Sequence, residues 1–325
     1  MTSAIRAEEN RCEISNVTEP SSRESDRHCR PAEARLPAVC TLVTGSSGMV
    51  GRVVVERLRR AGHEVVPFDL DDDAGVGAGA DGAGGVDIRC DHDIARRLDG
   101  VTHVVHLAAV LGWHGESADD HMAVNLLGTW RLLEAAVRSG VSRVVFVSSV
   151  DVLGVFKGER APDYLPLDDD HPCYPSTPYA TSKRLAEVLC ADVQRTRGLE
   201  TIVLRPPGVW IDETYLDVAA RRADRPSYEW DPFWEYGAFL DVRDLAAAIQ
   251  QALVVPYPGP RPYGLAADET NSSGRTSQEW AGFVHPNVPW RGDERFAHDP
   301  HTSLLDNRRV KADLDWTPEP RWRTP

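Results

Sequence analysis

Ala38-Val39-Cys40-Thr41-Leu42-Val43-Thr44-Gly45-Ser46-Ser47-Gly48-Met49-Val50-Gly51 is the stretch that decides the fold. Residues 38–43 are a short apolar run, the pattern of a strand buried on both faces. Three glycines follow at Gly-x-x-Gly-x-x-Gly spacing, and residues 50–60 continue with Val50, Val54, Val55 and Leu58 at helical intervals. A strand, a glycine turn and a helix in that order suit a pyrophosphate. Small residues let the backbone come close, and the helix start offers unpaired N–H groups and a partial positive charge. A bare glycine triad is often only a tight turn, and this spacing differs from the dehydrogenase Gly-x-Gly-x-x-Gly. Between a buried strand and a helix it predicts a nucleotide site through Gly45, Ser47, Gly48, Met49 and Gly51.

Outward from the turn, Glu64-Val65-Val66-Pro67-Phe68 reads as a second strand, although Pro67 is awkward in a central position. Further strands are expected at 102–107, 143–147 and 201–204. Helices are expected near 120–139 and 179–197, the first with Val124, Leu127, Leu132 and Ala135 on or near one stripe. Strands alternating with helices predict an α/β fold, a doubly wound parallel sheet of Rossmann type. Asp69 closes the second strand about twenty residues after the turn, where a carboxylate accepts bonds from the adenosine ribose hydroxyls. It would repel a 2′-phosphate, and Leu70-Asp71-Asp72-Asp73 supplies no arginine to receive one. The expected cofactor is NAD, with NADP disfavoured. The plain alternative is that Asp69 merely starts an acidic loop.

Downstream lies Pro178-Tyr179-Ala180-Thr181-Ser182-Lys183. Four residues apart on a helix, the phenol of Tyr179 and the ammonium of Lys183 project from one face. A nearby ammonium favours phenolate, so a tyrosine with a reference pKa of about 10 becomes a usable acid/base near neutrality. A drop of about three units corresponds to about 4 kcal/mol. Isolated, this spacing says little; after a nucleotide turn it points to catalysis.

At 325 residues with 42% hydrophobic content, the chain can bury a full core. Its formal charge of −14 argues against nucleic acid as a partner. No apolar run is long enough to cross a bilayer, and residues 1–36 lack the apolar stretch of a signal peptide. That polar leader is expected to be disordered, and residues 71–85, built from Asp, Gly and Ala, to form a mobile surface loop. The 6 cysteines show no Cys-x-x-Cys spacing and the 11 histidines are dispersed, so neither a disulfide scaffold nor a metal site is expected, and a cytoplasmic location is. The expected division is a leader at 1–36, a nucleotide-binding domain at 37–210 to which 239–255 return, and a small substrate-binding part from 211–238 and 256–325.

These elements together resemble the extended branch of the short-chain dehydrogenase/reductases, the NAD-dependent epimerase/dehydratase family, over residues 40–253, with a weaker echo at 309–318. The turn from Thr44 to Gly51 is similar to the family's cofactor turn. Asp87-Ile88 resembles the pair that approaches the adenine, and His106-Leu107-Ala108-Ala109 the strand end beneath the cofactor. Asn125-Leu126-Leu127-Gly128-Thr129 resembles the helix that buttresses the site, Val147-Ser148-Ser149 the strand bearing the catalytic hydroxyl. Leu204-Arg205-Pro206-Pro207 and Phe239-Leu240-Asp241-Val242-Arg243-Asp244 are similar to two later segments. The resemblance implies cofactor contacts from Asp69, Asp87, Ile88, Leu107, Ala108, Ala109, Asn125, Tyr179, Lys183 and Pro206, with Asn125 alternatively only cross-linking helix and strand. It also implies a mechanism. Tyr179 exchanges a proton with a substrate oxygen while hydride passes to or from the nicotinamide, Ser149 hydrogen-bonds that oxygen, and Lys183 holds the ribose and depresses the Tyr179 pKa.

Departures from the family pattern bear on the substrate. Sugar-nucleotide dehydratases carry Asp-Glu directly after the catalytic hydroxyl; here Val150 and Asp151 stand there, and valine cannot act as an acid. The span 209–238 is short and rich in aromatics (Trp210, Tyr215, Tyr228, Trp230, Phe233, Trp234, Tyr236), which suits a sugar ring, a lid or a core equally. Its economy resembles the smaller dehydrogenases, including uronate dehydrogenases. His114 is a candidate substrate contact, and Arg205 either meets a substrate carboxylate or is structural. The expected partner is a sugar-like small molecule, with a homodimer open to the chain. Alternatives are a sugar-nucleotide epimerase using the same residues and a non-catalytic NAD(P)-binding protein.

Overall fold

The computed structural model describes residues 39–70, 85–112, 115–156, 160–228 and 235–319. The expectations for the leader and for residues 71–84 lie outside these, as do Trp113, His114, Trp230, Phe233 and Trp234. The elements in order are β1 (Cys40–Thr44), α1 (Met49–Arg60), β2 (Glu64–Phe68), α2 (Asp91–Arg97), β3 (His103–His106), α3 (Ala118–Asp120), a π-helix (His121–Gly128), α4 (Thr129–Arg138), β4 (Arg143–Val147), α5 (Pro178–Arg197) and β5 (Glu200–Arg205). There follow β6 (Val209–Trp210), α6 (Asp212–Asp224), β7 (Leu240–Asp241), α7 (Val242–Val254), β8 (Pro262–Gly264), α8 (Ser277–Val284), α9 (Arg295–His298) and α10 (Arg308–Leu314).

Parallel pairing gives a six-stranded sheet in the order β2-β1-β3-β4-β5-β8. The doubly wound parallel sheet expected from the sequence is therefore the observed architecture. Alternate residues of each strand feed opposite faces. Leu42, Val104, Val144 and Phe146 pack with Leu132 and Leu133 of α4 and Cys190 of α5. Their neighbours Val43, Val105 and Val145 pack with Val54 and Leu58 of α1 and Leu245 and Ile249 of α7. Burial on both faces explains why the strands read as unbroken apolar runs. Each fully buried aliphatic side chain contributes about 1.5–3 kcal/mol relative to exposure. Pro67 pairs with Val43 from the edge strand β2, where its missing N–H faces no further strand.

Two expectations change. Residues 121–128 form a π-helix rather than α, and its i→i+5 bonding shifts the phase of the side chains. Leu127, expected to point inward, is 43% exposed for that reason. Pro262–Gly264, assigned to the smaller part from the sequence, extends the sheet beyond β5, and Val310, Leu314 and Trp316 join the core on the α1/α7 face. A separate core gathers Val152, Phe156, Leu167, Tyr236, Trp280 and Leu304. No helix among the described residues is long and apolar enough to cross a membrane.

Candidate active site

The strand order turns back at β1, which lies between β2 and β3, so a crevice opens at the carboxyl ends of these strands. A cavity of about 1300 Å³ occupies that position. At one end is the glycine turn. Gly45 has φ +70, and a Cβ there would lie 2.8 Å from the Ala108 nitrogen; a Cβ at Gly51 would lie 2.0 Å from the Gly45 oxygen. Only glycine permits this path. Helix α1 starts at Gly48 with no side-chain cap and no acidic residue in its first turn, so its first N–H groups remain for a ligand. Ser47 N–H donates to Asp69 Oδ2 at 2.8 Å, which ties the end of β2 to the turn. A carboxylate beside an open helix N-terminus and a backbone that glycine alone allows fit a dinucleotide.

Farther along the wall, Asp87 is clamped by Arg89 (Nε to Oδ1 3.1 Å, Nη2 to Oδ2 2.6 Å), and these bonds hold its carboxyl below the usual range. Ile88, Leu107, Ala108, Ala109 and Pro206 line the same cavity with Gly45, Ser47, Gly48, Met49, Gly51, Asp69 and Asp87. His106 lies beneath as a strut, Nδ1 2.7 Å from Thr44 Oγ1 and Nε2 2.8 Å from Thr129 Oγ1. Burial lowers its pKa to about 3, so it is neutral. Asn125 is set apart from the expected cofactor residues. It is buried and does not line the cavity. Its amide accepts from Val110 N–H at 2.8 Å and donates to Val110 O at 3.0 Å and Ser182 Oγ at 3.1 Å, cross-linking the loop after β3 to α5.

The far end holds Ser149, Tyr179 and Lys183 together. Thr177 caps α5 by accepting from Ala180 N–H at 3.1 Å and Pro178 occupies the first turn, so the helix begins where Tyr179 and Lys183 share a face. Ser149 sits just past β4, accepts from Asp151 N–H at 3.1 Å and lies near enough to Tyr179 to favour its phenolate. Lys183 Nζ donates to Val147 O at 2.9 Å and lies 5.9 Å from the Tyr179 ring centroid. Burial lowers its pKa to about 8 against the opposing pull of Glu187.

The expected depression of the Tyr179 pKa is reversed here. Burial pushes the phenol up, and the charges of Asp151 and Glu235 add to it, while Ser149 works the other way. Glu235 was not picked out from the sequence. It is buried, has φ +53, lines the cavity and accepts from Gly208 N–H at 2.5 Å. Its place depends on the approach of residue 235 to residue 208, and its neighbours in sequence look like core. His121, at the start of the π-helix, also lines the cavity, edge-on to Tyr179 with ring centroids 6.1 Å apart.

Arg205 takes the structural alternative. It is buried and donates to Glu187 through Nε (2.8 Å) and Nη2 (2.7 Å), and Glu187 also accepts from Ser148 Oγ at 2.7 Å. The aromatics of 209–238 divide similarly. Trp210 and Tyr215 pack with Phe239, and Tyr236 is buried against Phe156, so these form core and do not line the cavity.

The fold and this cavity define a nucleotide-binding doubly wound α/β protein. The chain belongs to the NAD dependent epimerase/dehydratase family, whose model matches residues 41–213. UDP-glucose 4-epimerase of Streptomyces lividans is 34% identical over 174 residues, 50% of this chain and 49% of that protein. Uronate dehydrogenase of Pseudomonas syringae pv. tomato is 25% identical over 230 residues, 70% of this chain and 75% of that protein. The solved structure of a short-chain dehydrogenase/reductase superfamily protein from Agrobacterium tumefaciens, with bound NAD, superposes with a TM-score of 0.63 at 27% identity, covering 87% of this chain and 93% of that one. The chain spans about half the length of the UDP-glucose 4-epimerases that it matches.

Proposed function

We propose that the protein is an NAD-dependent oxidoreductase that transfers hydride at a secondary alcohol or carbonyl of a sugar-like small molecule. The observation that carries this reading is the single cavity with a glycine cradle at one end and Ser149, Tyr179 and Lys183 at the other. Its volume of about 1300 Å³ exceeds the range of about 300–1,000 Å³ usual for a drug-sized ligand, leaving room for a dinucleotide and a small substrate. Bound NAD would supply the hydride acceptor and a positive charge. As phenolate, the form that Lys183 and the cofactor's charge would favour, Tyr179 Oη would take the proton of the substrate hydroxyl, and Ser149 Oγ would hydrogen-bond the same oxygen. Lys183 would hold the nicotinamide ribose, and its ammonium would favour phenolate at Tyr179. Asp69 prefers the ribose diol of NAD to the 2′-phosphate of NADP.

Incubation with NAD and a panel of sugars and sugar nucleotides, followed by NADH absorbance, tests the reading. Net dehydrogenation accumulates NADH. Conversion of a sugar nucleotide to its epimer with no NADH would assign the same residues to epimerisation, and neither product would leave only a nucleotide-binding protein.

A further inference from the structure

We propose that His121 is a substrate-binding residue, donating through Nε2 to a hydroxyl next to the one that reacts. The molecule it selects is polyhydroxylated, not an isolated secondary alcohol. This rests on the oxidoreductase reading above. His121 is 5% exposed, lines the cavity and has its ring centroid 6.1 Å from that of Tyr179. Its Nδ1 is buried with no hydrogen-bond partner among the described residues. Buried N–H groups without an acceptor are rare, so the tautomer assigned on that ground carries its proton on Nε2. With Nδ1 shut in, Nε2 is the nitrogen left to meet a ligand. Gly112, which lines the same cavity, gives it room: a Cβ there would lie 3.2 Å from Nε2.

The imidazole is held from both sides along the chain. Just before it, Asp120 accepts from Ser117 N–H and Ser117 Oγ at 2.8 Å each. Just after it, Asn125 is tied to Val110 and Ser182. Between them the backbone winds as a π-helix, a rare form that occurs frequently at functional sites. With Asn125 pinned, the extra residue per turn changes the direction that residue 121 faces, as it does for Leu127. A wide turn that brings an unpartnered buried imidazole beside Tyr179 is explained by a ligand better than by packing. In the proposed reaction the reacting oxygen lies against Ser149 and Tyr179. A hydroxyl on the next carbon then comes beside the phenol, where His121 stands, and its oxygen accepts from Nε2–H.

The test is steady-state kinetics of the full chain on glucose, galactose, mannose, their uronates and UDP-glucose, read as NADH or as epimer. The deoxy forms of whichever member turns over, each lacking one hydroxyl, are then compared with it. The wild type should lose about threefold to tenfold in kcat/KM with at least one deoxy form. His121→Phe keeps the bulk beside Tyr179 and should lose a similar factor on the parent sugar, mostly in KM, with no further loss on that deoxy form. His121→Gln keeps an N–H and should recover part of the loss. NADH fluorescence should give all three proteins the same cofactor affinity. Full tolerance of every deoxy form by the wild type, or the same deoxy losses in His121→Phe, would overturn the proposal. So would NADH binding weakened in His121→Phe in step with KM, which would assign the imidazole to the cofactor. Should His121→Phe fail to fold, the wild-type deoxy series and His121→Gln decide. No turnover of any member sinks the oxidoreductase reading and this inference with it, whereas turnover with a deoxy pattern indifferent to His121 sinks only the latter.

Discussion

In the proposed reaction Tyr179 carries the proton, and burial and neighbouring charges oppose its ionisation. Replacing it with Phe keeps the ring and removes the proton carrier, so turnover should fall by about 10² to 10⁴ while NADH fluorescence still reports cofactor binding. Ser149→Ala should cost less, since one hydrogen bond to the developing charge is lost. Lys183 titrates near 8, lowered by burial, so it is charged below that pH and neutral above it. Cofactor affinity should therefore weaken as the pH rises through about 8, and a titration series on Lys183→Met should lose that step. An unchanged step in Lys183→Met would assign the titration to another group. The pairing of Tyr179 with Lys183 was legible because four-residue spacing on a helix is local. The direction of the phenol's pKa was not, because its burial, and after that the charges of Asp151 and Glu235, depend on other parts of the chain.

At the scale of the elements, short contacts between them hold the cavity's walls. Asp69 at the end of β2 meets Ser47 in the glycine turn. Asp69→Ser should reduce the preference for NAD over NADP by about tenfold, or about 1.4 kcal/mol, measured by calorimetry with each cofactor. An equal preference in the wild type would remove Asp69 from that role. Asn125 joins the loop after β3 to α5, and Asn125→Ala would leave the Val110 amide and carbonyl without these partners. The expected loss is about 1–3 kcal/mol in chemical denaturation. Turnover should fall with it, through displacement of α5 and not through a lost cofactor contact. The strand-turn-helix unit was readable because glycine spacing and apolar runs are local signals. The π-helix was not, since nothing in His121-Met122-Ala123-Val124-Asn125 announces the extra residue per turn, and Leu127 was misplaced with it.

For the whole molecule, the strand order matters most, because it sets where the crevice opens. The alternation of strands and helices made the parallel sheet legible, but β8 was not. Pro262–Gly264 is too short to show a periodic pattern, and only its pairing with β5 marks it as a strand. The tail is similarly non-local. Trp316 is 3% exposed, donates through Nε1 to Asp244 O at 3.0 Å, and joins the α1/α7 core. Trp316→Ala should destabilise the fold by about 3–5 kcal/mol, read as a lower denaturation midpoint. A midpoint within error of the wild type would show that the tail does not support the sheet.

The small pair β6 and β7 has a consequence for how such a protein can change over evolutionary time. The chain leaves the sheet region at Val209–Trp210 and comes back beside it at Leu240–Asp241, with Val209 opposite Leu240. Everything between is a cassette whose two ends are already fastened together. Doubling the length of a flexible cassette adds only about 0.6 kcal/mol of closure entropy. Longer or shorter versions can thus be spliced in at this neck while the register of the sheet, and the place of Tyr179 in it, stay as they are. Such trading suits the part of the segment that carries α6, because Glu235 and Tyr236 near its returning end are tied to Gly208, Phe156 and the surroundings of Tyr179.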